Sequence, residues 1–286
     1  MAILMDGKAL AEKRRGEIAL AAEHLRGQGV VPCLAVILVG EDPASALYVR
    51  NKHKACLACG IESREYKLPG DTTRETLDEL VDRLNGDDTV SGILIQSPLP
   101  AGLPEREIVA RILPEKDVDA FHPQNVGRIL RGDYTIAPCT PMGVMEFLKA
   151  YQIPTRGKKA VVVGRSDIVG KPMAALLLHA DCTVTVCHSK TEHLAEETRS
   201  ADILVSAVGR AGFITEDMVK PGACVIDVGM NRGADGKFTG DVDFAAVEPR
   251  AGWITPVPGG VGPMTVTELM QNTVTAAACR AGIRLP

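Results

Sequence analysis

"KKAVVVGRSDIVGKPMAALLL", Lys158–Leu178, decides the fold. A short valine-rich run reads as a buried strand, a tight glycine turn follows, and an Ala/Leu-rich segment reads as a helix. The turn is Gly164-Arg165-Ser166, closed by Gly170. It departs from G-x-G-x-x-G, because Ser166 takes the second glycine position and the last glycine falls one residue later. The physical logic survives the change. Gly164 permits a sharp reversal, and the turn presents backbone N–H groups and the positive end of a helix to a pyrophosphate. Gly170 permits close packing of helix on strand. A bare strand–helix connection has the same outline, so the turn needs support from its surroundings.

That support comes from the next strand, "CTVTVCHSKT". NAD sites place an Asp or Glu about twenty residues past the glycine turn to hold the ribose 2′-hydroxyl. Here the strand ends in His188, Ser189 and Lys190, with no carboxylate. A carboxylate would repel a 2′-phosphate, whereas Arg165, Ser189 and Lys190 can hold one. The expected cofactor is NADP rather than NAD.

Around this unit, strand-like and helix-like segments alternate along the chain, the pattern of an α/β fold with mainly parallel sheets. "CLAVILV", "ESREYKL" and "VSGILIQ" are strands of a first domain, with helices from about Asp6, over "DPASALYVRNKHKACLACG" and over "TRETLDELVDRLNG". After the boundary near Cys139, "KKAVVVG", "CTVTVCH", "DILVSAVG" and "ACVIDVG" supply four more strands. Two α/β domains are therefore expected: 1–138 with the final helix, 266–286, returning to it, and a Rossmann-like 139–265.

Composition limits the function classes. A net charge of −4 without a long basic run argues against nucleic-acid binding through phosphate neutralisation. The apolar run Cys33–Val39 is too short to span a bilayer, and "MAILMDGKAL" lacks the pattern of a signal peptide. A cytoplasmic location is expected, with the eight cysteines reduced. Only one C-x-x-C occurs, Cys56 to Cys59, without a second pair, so no metal site is expected.

Tyr48 and Lys52 lie four residues apart on the helical stretch "YVRNKHKACLACG" and share one face. A redox dithiol, a basic surface patch and a Tyr/Lys proton-transfer pair compete here. Short-chain dehydrogenases use Y-x-x-x-K after an N-terminal glycine turn. In this chain Tyr48 lies far upstream of Gly164 and in the other expected domain, so that reading fails.

"YVRNK", "GILIQSPLP", "PEKDVDAFHPQNVGRI", "PCTPMG", "VVVGRSDIVGKPM", "HSKT", "KPGACVIDVG" and "TPVPGGVGPMT" stand in this order along the chain. In this respect the sequence resembles the methylenetetrahydrofolate dehydrogenase/methenyltetrahydrofolate cyclohydrolase family. The resemblance implies a bifunctional one-carbon folate enzyme. NADP-dependent oxidation of 5,10-methylenetetrahydrofolate would be followed by hydrolysis to 10-formyltetrahydrofolate. It assigns catalysis of the hydrolysis to Lys52, stacking on the folate rings to Tyr48, tuning of the lysine to Gln96 and reading of the pterin to Asp119. It places Pro258, Gly259 and Gly260 at the substrate, and Gly164, Arg165, Ser166, Ser189 and Met230 at NADP. It also implies a homodimer. Three positions depart from the family pattern: Ala120 where glycine is usual, Ser97 where leucine is commoner, and Met230 for isoleucine. None removes a proposed catalytic residue. A monofunctional dehydrogenase and a non-catalytic folate- or nucleotide-binding regulator are the alternatives; both predict a damaged Lys52 or Gln96.

Overall fold

The computed structural model describes residues 1–233 and 236–286. They form two compact units: Lys13–Cys139 with Val266–Pro286, and Met1–Glu12 with Thr140–Thr265. The helices Gly7–Gly27 and Val261–Ala281 carry the chain from one unit to the other.

The first unit is built on a three-stranded parallel sheet, ordered Glu62–Leu68, Cys33–Val39, Gly92–Ile95. Every residue of the central strand is buried, as expected where both faces are covered. Side chains alternate between faces along a strand, and the core divides accordingly. Cys33, Ala35, Ile37 and Val39 pack with Leu77, Leu80, Val81 and Leu84 of the Arg74–Gly86 helix. Leu34, Val36 and Leu38 pack with Ile18, Ala22 and Leu25 and with Leu269, Met270 and Val274. The last of these come from the C-terminal helix, which returns to this domain as expected. Glu62–Leu68 is one of the two edge strands, and its charged Glu62, Arg64, Glu65 and Lys67 discourage pairing with another chain.

Lys116 is the largest fully buried side chain of the protein's described residues. Its Nζ donates to the carbonyls of Leu84, Asn85 and Asp87 at 2.8, 2.8 and 2.7 Å. Leu84 and Asn85 lie in the last turn of the Arg74–Gly86 helix and Asp87 follows it, so a cation there meets the negative end of the helix dipole.

The second unit holds a six-stranded, all-parallel sheet. Its order is Ile3–Leu4, Trp253–Ile254, Cys224–Asp227, Ile203–Ser206, Lys159–Val163, Thr183–Cys187. Ile3 and Leu4 pair with Trp253 and Ile254. Residues 1–12 therefore join this unit, whereas the sequence reading placed them with 1–138. A two-residue strand is too short to carry a period, so its sheet is not legible from sequence. Asp6 caps the following helix, its Oδ1 accepting the N–H groups of Lys8 and Ala9 at 2.9 and 3.1 Å. Among the described residues, no helix is long and apolar enough to cross a membrane.

Candidate functional site

Tyr48 and Lys52 lie on the Pro43–Ala58 helix. Asp42 caps it, with Oδ2 accepting the Ser45 N–H at 2.7 Å, and Pro43 sits where its missing N–H removes no bond. The same helix turns Cys56 and Cys59 into the core, both fully buried. Burial pushes the Cys56 thiol up to about 12 and that of Cys59 to about 11. These thiols are inert structural residues, not a redox pair.

Lys52 faces the end of the Gly92–Ile95 strand. Its Nζ donates to Gln96 Oε1 at 2.9 Å, and Gln96 Nε2 donates to the Ser97 carbonyl at 2.7 Å. The amide is thus fixed with its oxygen toward the lysine. Gln96 is itself placed by its backbone N–H, which bonds the Ile37 carbonyl at 2.9 Å. The unusual Ser97 donates its hydroxyl to the Glu105 carboxylate, a tie that leucine cannot make.

Asp119 lies close enough to Lys52 to act on its charge. Burial pulls the lysine below the ordinary range, and Asp119 opposes that shift. Burial likewise pushes the Asp119 carboxyl up, with Lys52 opposing. Both groups are thereby moved toward neutrality in a desolvated site. Cys139 Sγ donates to Asp119 Oδ1 at 3.7 Å and to the Val118 carbonyl at 3.6 Å, and burial raises its thiol well above the usual value. Tyr48, one turn before Lys52, is 38% exposed.

The loop bearing Asp119 is tied down on several sides. Besides the Lys116 cap, the Lys116 carbonyl accepts the Ile93 N–H at 2.8 Å. Asp117 Oδ2 accepts the His122 N–H at 2.7 Å and Asn125 Nδ2 at 3.0 Å. Asn272 Nδ2 donates to the carbonyls of Val118 and Ala137, both at 2.8 Å. Ala120 sits at φ +59, a left-handed conformation that costs a residue with a Cβ about 1–2 kcal/mol.

In the other unit, Gly164 has φ +129, and a Cβ there would lie 2.4 Å from the Ala207 carbonyl oxygen. A Cβ on Gly170 would lie 2.2 Å from the Gly164 oxygen, which is the close helix approach expected of it. Ser166 Oγ accepts the N–H groups of Val169 and Gly170 at 3.2 and 3.4 Å, so the hydroxyl caps the helix start. The Gly164 N–H bonds the Cys187 carbonyl at 2.9 Å, which brings the turn beside the end of the Thr183–Cys187 strand. There His188 N–H donates to Thr191 Oγ1 at 2.8 Å, shaping a turn that leaves Ser189 and Lys190 exposed. Met230 is 47% exposed, and its Cε approaches Gly262. The loop of Pro258, Gly259 and Gly260 is held by the N-terminus: Gly7 N–H donates to the Gly259 carbonyl at 2.9 Å.

The structure therefore groups Lys52, Gln96 and Asp119 in one unit and the glycine turn, Ser189, Met230 and the Pro258–Gly260 loop in the other. Sequence reasoning missed Lys116, Asn272 and the buried carboxylates Asp227 and Asp241. A polar residue in a buried position carries no periodic signal of its own. Among the described residues, no group of three or more His, Cys, Asp or Glu is placed to hold a metal ion.

Two models of one family cover most of the chain. Residues 5–119 match the tetrahydrofolate dehydrogenase/cyclohydrolase catalytic domain, and residues 138–281 match the NAD(P)-binding domain of the same family. The bifunctional protein FolD of Methanoculleus marisnigri is 56% identical over 278 residues, covering 97% of each chain. The crystal structure of the FolD methylenetetrahydrofolate dehydrogenase/cyclohydrolase from Campylobacter jejuni superposes with a TM-score of 0.96 at 49% identity, covering 98% of this chain and 100% of that one. The Trypanosoma brucei FolD enzyme, solved with NADP and an inhibitor, gives 0.92 at 40% identity, with 98% of each chain covered. The chain belongs to the tetrahydrofolate dehydrogenase/cyclohydrolase family.

Proposed function

We propose that this protein oxidises 5,10-methylenetetrahydrofolate with NADP and hydrolyses the methenyl product to 10-formyltetrahydrofolate. The observation that carries the reading is the 2.9 Å bond from Lys52 to Gln96 beside Asp119, at the positions the family motifs occupy. An intact lysine and glutamine count against a monofunctional dehydrogenase and against a non-catalytic regulator.

The residues of the second unit fit the cofactor. Gly164 takes φ +129, a turn that a residue with a Cβ would strain, and the turn leads into the N-terminus of the Gly170–His179 helix, a site suited to a pyrophosphate. The 188–190 turn offers a hydroxyl and a cation where an NAD site has a carboxylate. Gly164, Arg165, Ser166, Ser189 and Met230 would hold the cofactor, and the chemistry NADP would supply there is acceptance of a hydride from the folate methylene bridge. Positioning dominates that step, because no proton has to move with the hydride.

Ring opening does need proton movement. Water adds to the methenyl carbon and gives up both its protons as its oxygen becomes the formyl carbonyl, one reaching the ring nitrogen that leaves and the other released to solvent. Lys52 serves this transfer, and Gln96, being neutral, orients the amine without adding a competing charge. Asp119 accepts hydrogen bonds from the pterin amino and ring N–H groups, and Tyr48 stacks on the ring system. In solution the active species is a homodimer, which equilibrium sedimentation checks by returning twice the chain mass.

Because burial lowers the Lys52 pKa, its free amine becomes available at a lower pH than that of a solvated lysine. Ring opening, corrected for the uncatalysed reaction, should rise with pH through that lowered value and then level off. A profile that first rises at the pKa of a solvated lysine contradicts this role. The direct test of function is turnover of 5,10-methylenetetrahydrofolate with NADP and, separately, NAD. Faster reduction of NADP is expected; no reduction of either cofactor overturns the reading.

A further inference from the structure

Asp241 is fully buried in the cofactor unit. Its two carboxylate oxygens gather five donors. Oδ2 accepts the N–H groups of Val208 and Gly209 at 2.7 and 3.2 Å and the Ser206 hydroxyl at 3.3 Å. Oδ1 accepts the Arg210 N–H and Asn231 Nδ2, both at 2.9 Å. The carboxylate is fixed in turn, because the Asp241 N–H donates to Asp227 Oδ1 at 2.9 Å.

These donors lie on two segments that leave the C-terminal ends of adjacent parallel strands, Ile203–Ser206 and Cys224–Asp227. Open α/β sheets bind their ligands just beyond such ends. The first segment begins at Ala207, whose carbonyl oxygen occupies the space a Cβ on Gly164 would need. The second contains Met230, next to the Asn231 that Asp241 holds. One side chain therefore ties the neighbour of the cofactor turn to the neighbour of Met230. Three convergent backbone N–H groups need acceptors, and a carboxylate supplies them from both oxygens. An asparagine has one acceptor oxygen, and its NH2 would oppose the N–H groups that Oδ1 or Oδ2 now receives.

We infer that Asp241 is a positioning residue of the NADP site, setting the shape of the 207–210 and 228–231 segments from beneath without touching the cofactor. This rests on the assignment of NADP to this unit. It is tested by titrating NADPH, followed by its fluorescence, into the wild type, Asp241→Asn and Asn231→Ala, each well below its own melting midpoint. Asp241→Asn should weaken NADPH binding about tenfold or more, and Asn231→Ala, which removes one donor only, about threefold. In steady state the KM for NADP should rise more than kcat falls. Should Asp241→Asn fail to fold, Asn231→Ala alone decides. Variants that melt earlier but bind NADPH as the wild type does would overturn the inference, leaving Asp241 a purely structural residue. A wild type that does not bind NADPH would instead overturn the cofactor assignment beneath it.

Discussion

Lys52→Gln should lose ring opening by about a thousandfold, since a positioned acid–base group contributes 10²- to 10⁴-fold. Glutamine keeps a donor for Gln96 Oε1 but has no proton to exchange at any working pH, so the variant separates titration from hydrogen bonding. NADPH binding should be unchanged, because the glycine turn belongs to the other unit. The check is hydrolysis of the methenyl compound supplied directly, without cofactor. A variant that opens the ring at the wild-type rate would remove Lys52 from the mechanism. One that loses NADPH binding as well would show a general structural role instead.

The largest stability effect is expected at Lys116. Lys116→Met keeps the apolar stem but takes one hydrogen bond from each of three carbonyls, of which Leu84 and Asp87 keep the N–H groups of Asp87 and Val90. Hydrogen bonds to a charged group contribute about 1.5–3 kcal/mol net, and the three bonds here come from a single Nζ. Denaturant unfolding should show a loss of that size. Folate affinity should fall with it, because the main chain runs from Lys116 through a bridged strand segment to Asp119 within three residues. A loss below about 1 kcal/mol, the scale of an ordinary neutral hydrogen bond, would show that water replaces the amine.

How far the sequence predicted this structure depended on the kind of signal. The Lys158–Leu178 stretch and the all-apolar Cys33–Val39 run were short β-rich runs bounded by glycine turns, and both became the elements expected. The helix around Lys52 was equally legible, from Pro43 at its first turn to Gly60 at its stop, because caps are local chemistry. The redox appearance of Cys56 and Cys59 dissolved once the helix turned both into the core. The N-terminal strand escaped notice, since pairing Ile3 and Leu4 with Trp253 and Ile254 depends on contacts remote in sequence. The buried polar groups were hidden for the same reason. Lys116, Asn272 and Asp241 have their meaning in carbonyls and N–H groups that only the fold brings to them. Ala120 read as a departure from the usual glycine, and its φ of +59 lies in the left-handed region that glycine favours.

The central claim is that one chain performs an oxidation and a hydrolysis, with Lys52 serving the second. The most direct measurement incubates wild type and Lys52→Gln with 5,10-methylenetetrahydrofolate and NADP, and quantifies reduced cofactor, methenyl and 10-formyl products together. For the wild type, 10-formyl product should track reduced cofactor with little methenyl left over. For Lys52→Gln, whatever cofactor is reduced should be matched mole for mole by accumulated methenyl compound. Formation of 10-formyl product by the variant at the wild-type rate, or no cofactor reduction by the wild type, would contradict the account.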